Sequence, residues 1–512
     1  MKNTTETFGF LSKKHVRNCI LILTSLLLTF SMLLPVHGQE KSPVPGKLYD
    51  VGIDLFYKEK YEEALRTFTN LIHTFPASNL VSYSHHMIGQ CYLKMGRYEE
   101  ALQQFEFYRK TYPEGDRLKT SEQGIQVAKE KLKELALAAS SGKRARRRIC
   151  AQIFYLDGKT LDLAEKRIKA LKEAGVDTLI LRVFHNKGDR AYQFAAPRHE
   201  ECVYFKTDYA PMVDDILGKV ADIAHRNGLE IFAWMTTRYA NYGLESQPAL
   251  RCKRYNFETH KLELARGFNL FHPEVLQRLE GLFRDLGSYP IDGILFQDDL
   301  VLKHNEDFST EANKAFFKEF GYSPHPDKFY INPCKSPSGK YYVKAYSDRF
   351  WSWANWKNRW LMDVAKRLME AARRSNPQLK FGINLYYETV VNDSNSAAWF
   401  SQTLREAMER DFDYYAIMAY HRQTMNELNL EAKKAMDLMA EVAQKAATSI
   451  GDPSRVMIKV QVLDWKSYQI LPTKEVETLL DGILRQGEFS LAFVPYVEQF
   501  PFSQLKGKWT RP

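Results

Sequence analysis

Two adjacent carboxylates, Asp298 and Asp299, stand where a short apolar run stops, in the stretch Pro290 to Ser309 that reads PIDGILFQDDLVLKHNEDFS. Ile291, Ile294, Leu295 and Phe296 supply the pattern of a parallel strand covered on both faces. An acid pair at the exit of such a strand can donate and accept protons, because two close carboxyls push one pKa up and keep one acid protonated near neutral pH. Neighbours on a regular strand point opposite ways, so their roles should differ. The alternative is that one of them caps the next turn. Asp292 opens the strand and is expected to fix a loop at its far end, while Glu306 and Asp307, close enough to reach the groove, read in EDFSTEA rather as a helix start.

The elements that must position this pair alternate. Short β-rich runs fall at Cys150 to Leu156, Thr178 to Phe184, Glu230 to Met235, Asp292 to Gln297, Lys380 to Asn384, Tyr414 to Met418, Val456 to Gln461 and Ser490 to Val494. Amphipathic helical segments lie between them, which predicts an α/β fold, a (β/α)8 TIM-type barrel over 149–505. Active sites of this fold gather where the strands end. Those ends carry Trp234, Asp298 and Asp299, Tyr386 and Glu388, Tyr420 and His421, Asp464 and Trp465, and Glu498, with His185 after the second strand. Aromatic faces stack on the C–H faces of sugars and carboxyls bind hydroxyls or protonate glycosidic oxygens, so the rim suits a saccharide. No Gly-rich phosphate loop, HExxH or nucleophile elbow competes. The histidines read as groove or surface residues, and neither a metal nor a cofactor is expected.

Ahead of the barrel, residues 45–139 read as helices with an internal repeat. Gly52, Leu55, Tyr61, Ala64, Phe68 and Pro76 recur 37 positions later as Gly89, Tyr92, Tyr98, Ala101, Phe105 and Pro113. This is similar to the tetratricopeptide repeat, in which small residues let two helices approach and the Phe fills the groove between them. Two units rarely stand alone, so Gln126 to Leu137 reads as a capping helix and the array as a spacer or a docking surface for a partner. Residues 140–148, small and basic, read as a linker.

The net charge is +10, of which residues 1–38 hold +3. Acids and bases are otherwise interspersed outside the run Lys143 to Arg148, so no nucleic-acid-binding stripe is present. Lys13, Lys14 and Arg17 precede an apolar run from Cys19 to Val36, the pattern of a secretory signal peptide over 1–38, with an uncleaved membrane anchor as the alternative. The expected location is therefore periplasmic or secreted. Of six cysteines, five lie beyond that segment, so at most two disulfides can form.

From Arg148 to Phe502 the chain resembles glycoside hydrolase family 153, the PgaB-type C-terminal hydrolase domain of poly-β-1,6-N-acetylglucosamine deacetylase/hydrolases. The matching stretches are GVDTLILRVF, GLEIFAWM, IDGILFQDD with the following EDFS, NSAAWF, FDYYAIMAY and VMIKVQVLDW. The resemblance implies cleavage of a partly de-N-acetylated biofilm exopolysaccharide, a catalytic carboxylate within the pair Asp298 and Asp299, and a groove lined by Trp399 and Trp465. It also makes an envelope synthesis or export protein the natural partner for the repeats. Gln297 stands where the family usually has a His, a departure expected either to shift the acid's pKa or to alter a subsite. Helical repeats occupy the place of the deacetylase domain, so deacetylation by this chain is not expected. By analogy with hexosaminidases that use the substrate's own acetamide, one Asp is the general acid and the other orients that group. The spacing from Asp292 favours Asp299 as the acid. The rival is a non-hydrolytic polysaccharide-binding scaffold.

Overall fold

The computed structural model describes residues 44–141, 145–239, 247–335, 341–410 and 412–509. The leader expected over 1–38 lies outside the described residues. Among those described, no helix is long and apolar enough to cross a membrane. The chain divides into two compact units between Arg144 and Ala145.

The first unit is a row of helices at Pro45–Tyr57, Tyr61–Thr74, Leu80–Lys94, Tyr98–Thr111 and Leu118–Ser141. The repeat explains the packing. A Cβ on Gly52 would come within 2.6 Å of the Phe68 ring, and one on Gly89 within 2.6 Å of Phe105. Both rings and the alanines Ala64 and Ala101 are wholly buried. The last helix is longer than the expected cap, and Gly124 meets the other edge of Phe105, where a Cβ would stand at 2.5 Å. It therefore docks as the opening helix of a further repeat.

In the second unit eight parallel strands close a barrel. They are β1 (Ile149–Ile153), β2 (Thr178–Arg182), β3 (Glu230–Met235), β4 (Gly293–Phe296), β5 (Lys380–Tyr386), β6 (Tyr414–Ala419), β7 (Val456–Gln461) and β8 (Ser490–Val494). Each pairs with its sequence neighbours, and β1 closes onto β8 through Ile149 opposite Leu491. Small residues make room inside: a Cβ on Gly293 would stand 2.7 Å from the Phe232 ring. Helices return the chain between strands, and two of them start on side-chain caps of this kind, Thr160 accepting from the Leu163 amide and Ser347 from that of Phe350. The last helix, Phe502–Trp509, runs past the expected boundary and buries Phe502 and Trp509 against Phe493.

Part of the expected linker belongs to the barrel. Arg148 is buried at the N-terminal end of the strands, donating to the Tyr414 hydroxyl at 2.8 Å and to Thr178 at 3.1 Å. It pairs with Glu230 and lies over the Phe232 ring, 4.7 Å from its centre. Arg147 donates to the Phe489 carbonyl, and Arg146 pairs with Glu230 at 2.9 Å. At the opposite end the loops hold two antiparallel hairpins absent from the sequence expectation, Arg251–Asn256 with Lys261–Phe268 and Tyr330–Lys335 with Tyr341–Tyr346. The five described cysteines are free thiols, four of them buried.

Candidate active site

The two aspartates at the mouth of β4 have opposite surroundings. Asp299 is 1 % exposed and its oxygens are fully engaged. It accepts from the backbone amides of Thr237, Arg238 and Tyr239 at 3.0, 2.7 and 2.7 Å and from the hydroxyls of Thr236 and Thr237 at 2.6 and 2.8 Å. With five donors around it, this carboxylate organises the backbone after β3 and has no oxygen free for a substrate. The expectation that Asp299 is the acid is therefore corrected: the spacing from Asp292 places the residue along the chain, but the loop after β3 captures its side chain.

Asp298 is only partly buried. Burial pushes its carboxyl above the usual range; Lys459 opposes this and Asp299 adds to it. Gln297 directly precedes Asp298, and its Oε1 has no partner among the described residues. Tyr386 stacks face to face on Phe400, ring centres 4.0 Å apart, and its hydroxyl reaches the Asp298 carbonyl at 3.4 Å. Tyr420 also lies in the field of Asp298, packs edge-on against Trp465 at 5.7 Å and has the Lys459 amine 5.9 Å from its ring centre. Phe154 lies between the tryptophans, 4.8 Å from Trp234 and stacked on Trp465 at 6.5 Å. Trp465, Tyr420, Tyr386 and Asp298 therefore form one partly open aromatic and acidic patch.

Glu388 is a second partly open carboxyl. Burial pushes it up to about 7, with a further push from Glu427. Its Oε2 has no partner among the described residues, and its charge reaches the Tyr386 hydroxyl together with that of Asp298. Trp399 packs against His304 at 4.3 Å, and burial followed by Lys357 and Lys303 holds that imidazole down at about 3, so the ring is neutral.

Other expected groove residues are engaged elsewhere. Glu498 pairs with Arg167 at 2.9 Å and lines a small recess with Tyr155, Asp157 and Tyr496. Asp464 folds its own turn, accepting from the Lys466 amide at 2.8 Å. His185 and His421 are buried, not on a groove or the surface: His185 meets the Tyr204 hydroxyl at 2.9 Å and His421 meets Glu475 at 2.7 Å. Asp292 anchors the far end of β4, accepting from the Ile231 amide at 2.8 Å.

Glu306 and Asp307 are not helix caps. Ser309 caps the helix Thr310–Phe320. Glu306 instead pairs with the buried Arg238 at 2.6 Å, and Asp307 accepts from the Lys253 and Ser309 amides at 3.0 and 2.7 Å.

Sequence reasoning missed Lys459 and Gln152, both buried on barrel strands. A signal was there: VMIKVQ sets one lysine between apolar neighbours on a strand. Such a charge is kept only where it has a partner.

The closed parallel barrel with carboxyls and aromatic rings at the strand ends is the architecture of a sugar-cleaving enzyme class. Residues 160–494 match the model of hypothetical glycosyl hydrolase family 13, and the chain belongs to that family. Residues 83–115 match the tetratricopeptide repeat. The chain is 26% identical over 364 residues to the poly-β-1,6-N-acetyl-D-glucosamine N-deacetylases of Escherichia coli K12 and O157:H7. The match takes in 63% of this chain and 50% of theirs, so the chain spans about half the length of these relatives. In fold it is similar to the PgaB (BpsB) glycoside hydrolase domain from Bordetella bronchiseptica, with a TM-score of 0.56 and 19% identity over 72% of this chain and all of that one.

Proposed function

We propose that this chain hydrolyses a poly-β-1,6-N-acetylglucosamine-type exopolysaccharide, partly de-N-acetylated, with Asp298 as the general acid. One observation carries the assignment: of the two aspartates at the mouth of β4, Asp298 is the one that is only partly buried, while the side chain of Asp299 is saturated by five donors. The names of the Escherichia coli relatives support the polymer.

In the proposed reaction Asp298 passes its proton to the leaving glycosidic oxygen as the C–O bond breaks. Positive charge then grows on the sugar ring, where the substrate's 2-acetamido oxygen attacks the anomeric carbon. Water opens the resulting ring after giving a proton to the Asp298 carboxylate, which restores the acid. Glu388 is the second carboxyl available to steady the acetamide or the developing charge. Tyr386, Tyr420 and Trp465 offer ring faces and hydroxyls to the glycan. The reading includes an envelope location and docking of the repeats to a synthesis or export protein. Its support is the basic, apolar leader and the repeat pattern.

The test is release of oligosaccharides from a defined, partly deacetylated polymer, followed by mass spectrometry. Wild type should release them and Asp298→Asn should not. Equal release by both would end the assignment, and polymer binding without release by wild type would favour the scaffold reading, to which Gln297 lends weight.

A further inference from the structure

The strand register places a polar layer beneath Asp298. Advancing one residue at each strand-to-strand pairing carries Gln152 on β1 through Leu181, Trp234, Phe296, Asn384, Ile417, Lys459 and Phe493 and back to Gln152. The walk closes on itself, so these residues lie at one height, and alternate strands supply the four that face inward. They are Gln152, Trp234, Asn384 and Lys459. A direct contact confirms the inward set: Lys459 donates to the Asn384 side-chain oxygen at 2.8 Å although β6 runs between their strands.

Such layers are normally filled by branched aliphatic residues. Here all four side chains carry polar atoms, and none is more than 7 % exposed. Among the described residues the Gln152 amide and the Trp234 Nε1 have no partner, and neither does Gln297 Oε1 one step above. Among the described residues the Lys459 ammonium, which can make three hydrogen bonds, makes one, to Asn384. Asp298 is the acidic group that acts on it. A buried ammonium needs a compensating charge, and its companions Gln152, Trp234 and Asn384 carry none.

We propose that Lys459 is a positioning residue for the proton donor: held from the side by Asn384 in the layer two residues below Asp298, it sets the pH at which that carboxyl gives up its proton. The inference rests on Asp298 being the acid. The titratable groups facing Asp298 are Lys459 from β7, Asp299 beside it, and the hydroxyls of Tyr386 and Tyr420 at the ends of β5 and β6. Of these only Lys459 is a cation. Burial holds its amine down at about 8, so it is charged at neutral pH and opposes the upward push that burial gives Asp298.

The sign of the effect follows. A general acid works while protonated, so activity falls as pH rises through its pKa. Removing the cation lets that pKa rise. Lys459→Met should move the basic limb of the kcat/KM profile to higher pH by ~1 unit, and Lys459→Arg, which keeps the charge, should leave the limb near its wild-type position. A merely structural role lowers activity without moving the limb.

A second measurement needs no hydrolysis: a double-mutant cycle in thermal stability with Asp298→Asn and Lys459→Met in the full chain. At pH 7 the stability gained by Asp298→Asn should be larger in the Lys459→Met background, and at pH 3.5 the excess should vanish. An unmoved basic limb, or additivity at pH 7, overturns the proposal. Wild type that shows the coupling but releases no oligosaccharide keeps the Lys459–Asp298 linkage and overturns the proposed function instead.

Discussion

Asp298 and Asp299 are adjacent in sequence and opposite in what they should do for stability. Burial raises the Asp298 carboxyl above its unfolded value, so its contribution is fully present below the unfolded pKa and is lost as pH rises through the folded one. Asp298→Asn removes that penalty. It should stabilise the protein by about 1 kcal/mol at pH 7 and by nothing at pH 3, while cutting hydrolysis at least ~100-fold. Asp299→Asn puts amide hydrogens among five donors that already point at one acceptor, and should cost about 3 kcal/mol at pH 7. Thermal melts at the two pH values separate the cases. Equal effects of the two changes on stability would contradict the geometry.

At the scale of elements, the eight strands were legible because each is an apolar β-rich run bounded by polar residues. β3, β7 and β8 begin and end where the pattern places them. The two hairpins were not legible: their strands are half exposed, Leu262, Leu264 and Ile331 face solvent, and no clean alternation marks them. The site was legible by position and less so by role. Strand ends give the rim, but whether a rim carboxyl is open or locked depends on residues far away in sequence. Thr236 to Tyr239 decide it for Asp299, and Arg167 decides it for Glu498. The repeat was the most legible feature, since close approach of two helices demands glycine opposite phenylalanine. Gly89→Ala would set a methyl 2.6 Å from the Phe105 ring. It should cost about 2 kcal/mol through overpacking. Limited proteolysis should show cleavage rising within the repeat unit, and a variant that resists protease as wild type does would contradict this packing.

For the whole molecule, the consequence concerns where the second unit begins. The basic run that reads as a linker ends in an arginine that plugs the N-terminal end of the barrel. Arg148 satisfies the Tyr414 hydroxyl and Thr178, pairs with Glu230 and covers the Phe232 ring. Glu230 keeps Arg146 when Arg148 is lost, but the buried Tyr414 hydroxyl and Thr178 lose a charged donor, which costs about 2 kcal/mol. A chain that starts at Ala145 keeps all of these contacts; one that starts at Ile149 keeps every strand and loses the plug. The longer chain should melt as the second unit does within the full-length protein and should retain hydrolysis, because Asp298, Lys459 and Tyr420 all lie within it. The shorter one should melt lower by about 5 °C. Arg148→Ala in the full chain should reproduce that loss, which separates the arginine from the effect of truncation. Equal melting of the two truncated chains would show that the basic run is a tether and not a part of the barrel.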